Sequence, residues 1–229
     1  MTPTVSLALA TAVFVGTHFL MSHPLRPALV KAVGERAFTG LYSLVAAITL
    51  VWMIIAWRAG DDANPFWVAP LWWWLIASAL MLAASTLLVG SLIGNPAFPR
   101  PGARPRPIPP PTGVFAITRH PMNWSFMLWA LVHLSLSGSP RNLIVAAGIL
   151  LLGFAGSFGQ DRKKERLLGE SWRNWVAQTS FIPFAAFGKG RFGSRGLIAL
   201  AGGAVLWALA TSYHAPLVSP LGDLLSRSS

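Results

Sequence analysis

The chain has 229 residues, no cysteine, and only 11% charged residues, whereas a soluble domain carries about 25%. Its mean hydropathy is +0.56. With 11 Trp and 13 Phe it holds too much apolar mass for a disordered coil, and the lack of thiols excludes a disulfide scaffold. A polytopic membrane protein remains, and the excess of 18 Lys and Arg over 7 Asp and Glu has to be understood within it.

Histidines aside, uncharged runs cover 1–25, 38–57, 63–99, 121–140, 142–160 and 196–222. Each suits one helix of the about 20 residues that cross a bilayer core, and none suits two. The expected fold is therefore all-α: a polytopic bundle of about six transmembrane helices, because backbone groups in lipid must be satisfied within the segment. The first run has no basic residue before Arg26, so it is expected to stay as a span and not to be cleaved as a signal peptide. Residues 1–214 form one membrane domain in this reading, with 215–229 a short polar tail.

The connections alternate in charge. Those around 26–36, 100–119 and 162–195 hold fifteen of the 18 Lys and Arg, while Arg58, Arg141 and Arg227 lie on the other side with Asp61, Asp62 and Asp223. The positive-inside rule puts the fifteen in the cytoplasm and both termini away from it, in the inner (plasma) membrane. Juxtamembrane placement thus accounts for the high net charge, and no nucleic-acid partner is expected.

Two basic-side connections have their own character. Segment 94–113 contains eight of the 18 prolines, which predicts an extended strap serving as a spacer, a lid or a docking tract. Segment 165–176 reads as a short amphipathic helix. Leu168, Trp172, Trp175 and Val176 line one face and Arg166, Glu170 and Arg173 the other, which suits a helix lying among lipid headgroups. On the opposite side, Trp57, Trp67 and Trp72 to Trp74 read as an aromatic belt.

Histidine is the side chain within the runs that titrates near neutral pH, and an ionisable group in a membrane helix marks a functional site by default. His214 sits near the outer end of the last run and reads as interfacial. His23 and His120, each followed by proline, sit at basic-side helix ends and read as cap or headgroup contacts. His18 and His133 lie inside spans. Each is either a neutral imidazole bonded within the bundle or an axial ligand of a cofactor metal.

The blocks THFLMSHPLRPALVKAVGERAFTGLYSLV (17–45), TRHPMNWSFMLWALVHL (118–134) and TSFIPF (179–184) resemble the NnrU family. These are bacterial polytopic proteins linked to nitrogen-oxide metabolism, and they share a domain with the 15-cis-zeta-carotene isomerases of plants and cyanobacteria. The resemblance implies a haem b protein with His18 and His133 as ligands, acting in polyene cis–trans isomerisation or in nitric-oxide-linked metabolism. Lipid and a hydrophobic small molecule or nitric oxide are then its partners. Arg26 and Arg119, at the same helix ends, are expected to meet the haem propionates. The isomerase relatives have a cysteine three residues before the second ligand; here that position is Ala130, so a cysteine ligand exchange does not carry over. The pair His23 and His120 is the alternative, better matched in depth. A non-enzymatic accessory factor for denitrification is a competing reading. A weaker similarity links RHPMNWS (119–125) and Lys164-Glu165 to membrane methyltransferases that use S-adenosylmethionine, although their Tyr, Gly and second Glu are missing here.

Overall fold

The computed structural model describes residues 2–60, 65–98 and 108–218, without the side chains of 214–218. Among the described residues there are seven α-helices and no strand: α1 (Pro3–Ser22), α2 (Arg26–Arg58), α3 (Leu71–Ser91), α4 (Pro121–Leu136), α5 (Pro140–Leu168), α6 (Glu170–Gln178) and α7 (Gly193–Val218). Proline in the first turn opens α1, α2, α4 and α5, where its missing N–H costs nothing and its fixed φ suits the helix. Thr2 and Ser139 cap two of these starts, their hydroxyls accepting from Val5 N and Asn142 N. The helix α7 continues through Val218, into the stretch expected to be a polar tail; 219–229 lie outside the described residues.

Five of these helices are long and apolar enough to cross a bilayer: α1, α2, α3, α5 and α7. The expected span 121–140 is the exception. Its helix α4 has 16 residues, about 24 Å at 1.5 Å per residue against a core of about 30 Å. The backbone at both ends of α4 is instead held by protein. A buried 3-10 turn, Gly113–Ala116, precedes it, and the segment after it pairs with 66–69 through Phe66 N to Gly138 O, Gly138 N to Trp67 O and Ala69 N to Leu136 O. Irregular backbone is tolerated at membrane depth where protein covers it.

The helix α2 divides at Gly34, whose φ of +79° is readily adopted only by glycine. Residues 26–33 form a basic surface piece and 35–58 the span. Arg26 and Glu35 form an ion pair across the break. On the span, Leu44, Ile48, Val51 and Ile55 are all exposed at the i, i+4, i+7, i+11 spacing of one helix face, which is the surface offered to lipid.

The five membrane-length helices and α4 pack in the lateral order α2–α1–α5–α4–α3–α7. Glycines set the close approaches of α5. Gly148 lies against Thr11 of α1, Gly153 against Met127 of α4 and Gly159 against the His23 ring. Small residues at such points let membrane helices approach without a hydrophobic driving force between them. One core gathers Leu7, Ala10, Phe14 and Val15 of α1 with Met53 and Ala56 of α2 and Val145 of α5. The other gathers Leu87, Val114, Phe115, Ala199, Trp172 and Trp175.

That second core corrects the amphipathic-helix expectation. Glu165 to Leu168 complete α5, Gly169 turns the chain at φ +55°, and α6 begins afresh. Trp172 and Trp175 are 1% and 4% exposed, packed on protein and not among headgroups. The outer tryptophans are also tied to protein: Trp67 Nε1 donates to Leu134 O at 3.0 Å, Trp73 Nε1 donates to Ser135 Oγ at 2.8 Å, and the Arg141 guanidinium covers Trp57 at 4.0 Å. Of the proline strap, 94–98 and 108–113 are described, and both ends are pinned. Asn95 and Ala97 are buried, and Pro111 O accepts from Arg191 N at 3.1 Å. Residues 99–107, with Arg100, Arg104 and Arg106, lie outside the described residues.

Candidate functional site

His18 of α1 and His133 of α4 share one local geometry. His18 Nδ1 lies 2.7 Å from Phe14 O, and His133 Nδ1 lies 2.8 Å from Trp129 O. A carbonyl only accepts, so both Nδ1 atoms carry the proton and the lone pair of the neutral ring sits on Nε2. This is the arrangement in which a second hydrogen bond orients a ligating imidazole. Each ring also packs at a tilt against the aromatic residue one turn back, Phe14 at 4.4 Å and Trp129 at 4.3 Å between centroids, and Tyr42 of α2 meets His18 edge-on at 5.5 Å.

Depth separates them. Along α5, Thr11 lies opposite Gly148 and His23 over Gly159, while Met127 lies opposite Gly153 and His120 beside Gln160. His18 therefore sits near position 155 of α5 and His133 near position 147, about 12 Å apart along the axis at 1.5 Å per residue. The helices α1 and α4 pack on different faces of α5, at Gly148 and Gly159 for α1 and at Gly153 for α4. The donor atoms fit a haem iron, but the two rings do not face each other at one level. Among the described residues no group of three His, Asp or Glu side chains converges into a metal cage.

The expected propionate partners are occupied within the chain. Arg26 pairs with Glu35 and its guanidinium lies 5.5 Å above the Phe38 ring. Arg119 Nε donates to Asp161 Oδ2 at 2.8 Å. Each charge is thus matched by a carboxylate within the chain.

His120 belongs to the same cluster. It is buried, with Nδ1 3.0 Å from Gln160 Oε1 and Nε2 3.1 Å from Asp161 Oδ1. One turn inward, Asn123 Nδ2 donates to Ser157 Oγ, which donates to Gly153 O. The polar seam between α4 and α5 continues into the segment after α6, since Arg119 N donates to Ser180 O at 2.8 Å and Trp124 Nε1 to Phe181 O at 2.7 Å. The blocks TRHP and TSFIPF, far apart in sequence, are thereby in contact. Asp161 and Gln160, missed in the sequence, are the residues that make this cluster. The nearby His23 caps α1; burial first, then the Lys163 and Arg166 charges, push it below the ordinary histidine range. His214 lies in α7 with its side chain outside the described residues.

With this arrangement in hand, the comparison with known proteins is decisive at the level of family. A family model described as NnrU protein matches residues 6–220. The chain belongs to the NnrU family. Two curated relatives are similar to this NnrU-family chain. The 15-cis-zeta-carotene isomerase, chloroplastic, of Zea mays is 28% identical over 198 residues, covering 82% of this chain and 51% of the relative. The protein of the same name from Arabidopsis thaliana is 32% identical over 80 residues, covering 35% of this chain and 22% of the relative. The chain therefore spans about half the length of the longer-matching relative. No solved structure matches.

Proposed function

We propose that this NnrU-family protein is a membrane cis–trans isomerase acting on a long conjugated polyene that reaches it from the lipid phase. The observation that carries the reading is the alignment with the Zea mays isomerase, which covers most of the chain. An apolar bundle with one histidine inside a membrane-length helix, His18 on α1, and another on the shorter α4, His133, is in keeping with it. In liposomes loaded with 15-cis-zeta-carotene, the purified protein should convert the 15-cis double bond to trans, read by chromatography. Wild-type protein, folded and inserted, that leaves the cis isomer unchanged would overturn the reading.

A b-type haem is part of the proposal. When bound it would supply a redox-active iron, and His18 and His133 are the residues offered to hold it, which requires their difference in depth of about 12 Å to be taken up in the holoprotein. Their Nε2 lone pairs, set by the Phe14 and Trp129 carbonyls, support them as donors. The detergent-purified protein should show a Soret band that His18→Ala and His133→Ala each abolish or shift and His214→Ala leaves alone. Loss of the band in His23→Ala or His120→Ala, with the first two variants unchanged, would reassign the ligands.

The orientation follows from charge: the basic side faces the cytoplasm and the amino terminus faces away. A reporter fused after Gly190 should be active as a cytoplasmic fluorescent protein and silent as alkaline phosphatase, with the reverse after Gly60. Phosphatase activity from the Gly190 fusion would refute it.

A further inference from the structure

We propose that the cleft between the end of α5 and α6, on the basic side of the bundle, binds a phosphate-bearing amphiphile through Arg162, Arg166 and Arg173. The cleft has a volume of about 450 Å³ and is lined by these three arginines and Glu165. Arg162 and Arg166 stand one turn apart on α5, and the reversal at Gly169 brings Arg173 back beside them. Glu165 and Arg173 also wall an adjoining cavity of about 290 Å³ lined by Asp161, Trp172, Val176 and Ala177.

Charge and shape both select an oxyanion. Arg173 lies 3.8 Å from Glu165 and 3.9 Å from Glu170, all three exposed, and contacts of that kind hold a side chain weakly. Asp161 is already engaged by Arg119 and His120. Three guanidiniums thus face one carboxylate across the cleft, and the guanidinium fork matches phosphate oxygens in pairs. Arg162 follows closely on the uncharged run of α5 that ends at Gln160, so the arginines stand at headgroup level.

The inner cavity suits the part of the ligand behind the phosphate. Trp172, Val176 and Ala177 present apolar surface there. Trp172 is 1% exposed, and its indole N–H has no acceptor among the described residues, although buried donors are ordinarily paired. The assignment does not depend on the isomerase reading.

The full chain in nanodiscs of phosphatidylglycerol and phosphatidylcholine in equal parts tests it, with bound lipid read by native mass spectrometry. Wild-type protein should retain phosphatidylglycerol preferentially. The double variant Arg166→Gln/Arg173→Gln should weaken that retention about thirtyfold, and both side chains are exposed, so the fold is not at stake. The charge-matched control Lys31→Gln/Arg36→Gln, on either side of the Gly34 break in α2, should retain lipid like wild type. Excess inorganic pyrophosphate identifies the source of the phosphate. Failure to displace the lipid supports a headgroup as the occupant, and displacement would overturn the amphiphile in favour of a soluble phosphate compound. Equal retention of both lipids, an unaffected double variant, or an equal loss in the control would overturn the proposal.

Discussion

Replacing Asp161 with Ala should cost the bundle about 3–5 kcal/mol, the range for removing one partner of a buried ion pair. Its carboxylate is the only acid within reach of both Arg119 Nε and His120 Nε2 among the contacts described, at 2.8 and 3.1 Å. The three side chains are 19%, 14% and 0% exposed, so water reaches the carboxylate only in part and His120 not at all. The loss would spread beyond α4 and α5, because Arg119 also anchors the segment after α6 through Ser180 O. Unfolding by sodium dodecyl sulfate in mixed micelles measures it. The double variant Arg119→Met/Asp161→Leu should recover most of the loss, since an apolar pair of similar size often replaces a buried ion pair without penalty. A shift of Asp161→Ala below about 1 kcal/mol, the level of an exposed pair, would show that the cluster is open to solvent.

The second large effect is expected at Gly203. A Cβ there would lie 2.5 Å from Thr86 Cα and 2.6 Å from Thr86 N, and a backbone cannot turn aside as a side chain can. Thr86 and Gly90 on α3 face Gly203 and Ala199 on α7, so small residues repeat at i and i+4 on both sides of the contact. Gly203→Val should separate these helices and cost about 3 kcal/mol, the upper end for overpacking, by the same micelle titration. Gly40→Ala is the contrasting case. Nothing lies within 4 Å of its added methyl, and the change should stabilise α2 by about 0.5–1 kcal/mol through helix propensity. Equal effects at the two positions would mean that α3 and α7 do not touch at Thr86.

Much of the architecture was legible because charge marks the ends of membrane segments, and each uncharged run does contain a helix. The boundaries follow rules that charge does not reveal. The helix α2 runs back through its basic residues to Arg26, since a surface helix tolerates them, and Gly34 turns it at the membrane edge. The helix α4 stops at Leu136, because Ser137 and Gly138 pair with the chain before α3. For Trp172 and Trp175, periodicity identified an apolar face but carried no information on whether lipid or protein covers it. The same holds for the histidines. Composition singled them out, whereas the role of Asp161 depends on the register of α4 against α5, which places residues 42 positions apart in one ion pair.

The lateral order of the helices also has a consequence in time. The partner that α1 meets across Thr11 is Gly148 of α5, and ribosomes add about 5–20 residues per second. The first hairpin thus resides in the bilayer for on the order of ten seconds before its second neighbour has been synthesised. Over that interval the flank of α1 that will meet α5 faces lipid or the insertion machinery, and only the arrival of α5 lets the two sides of the bundle join.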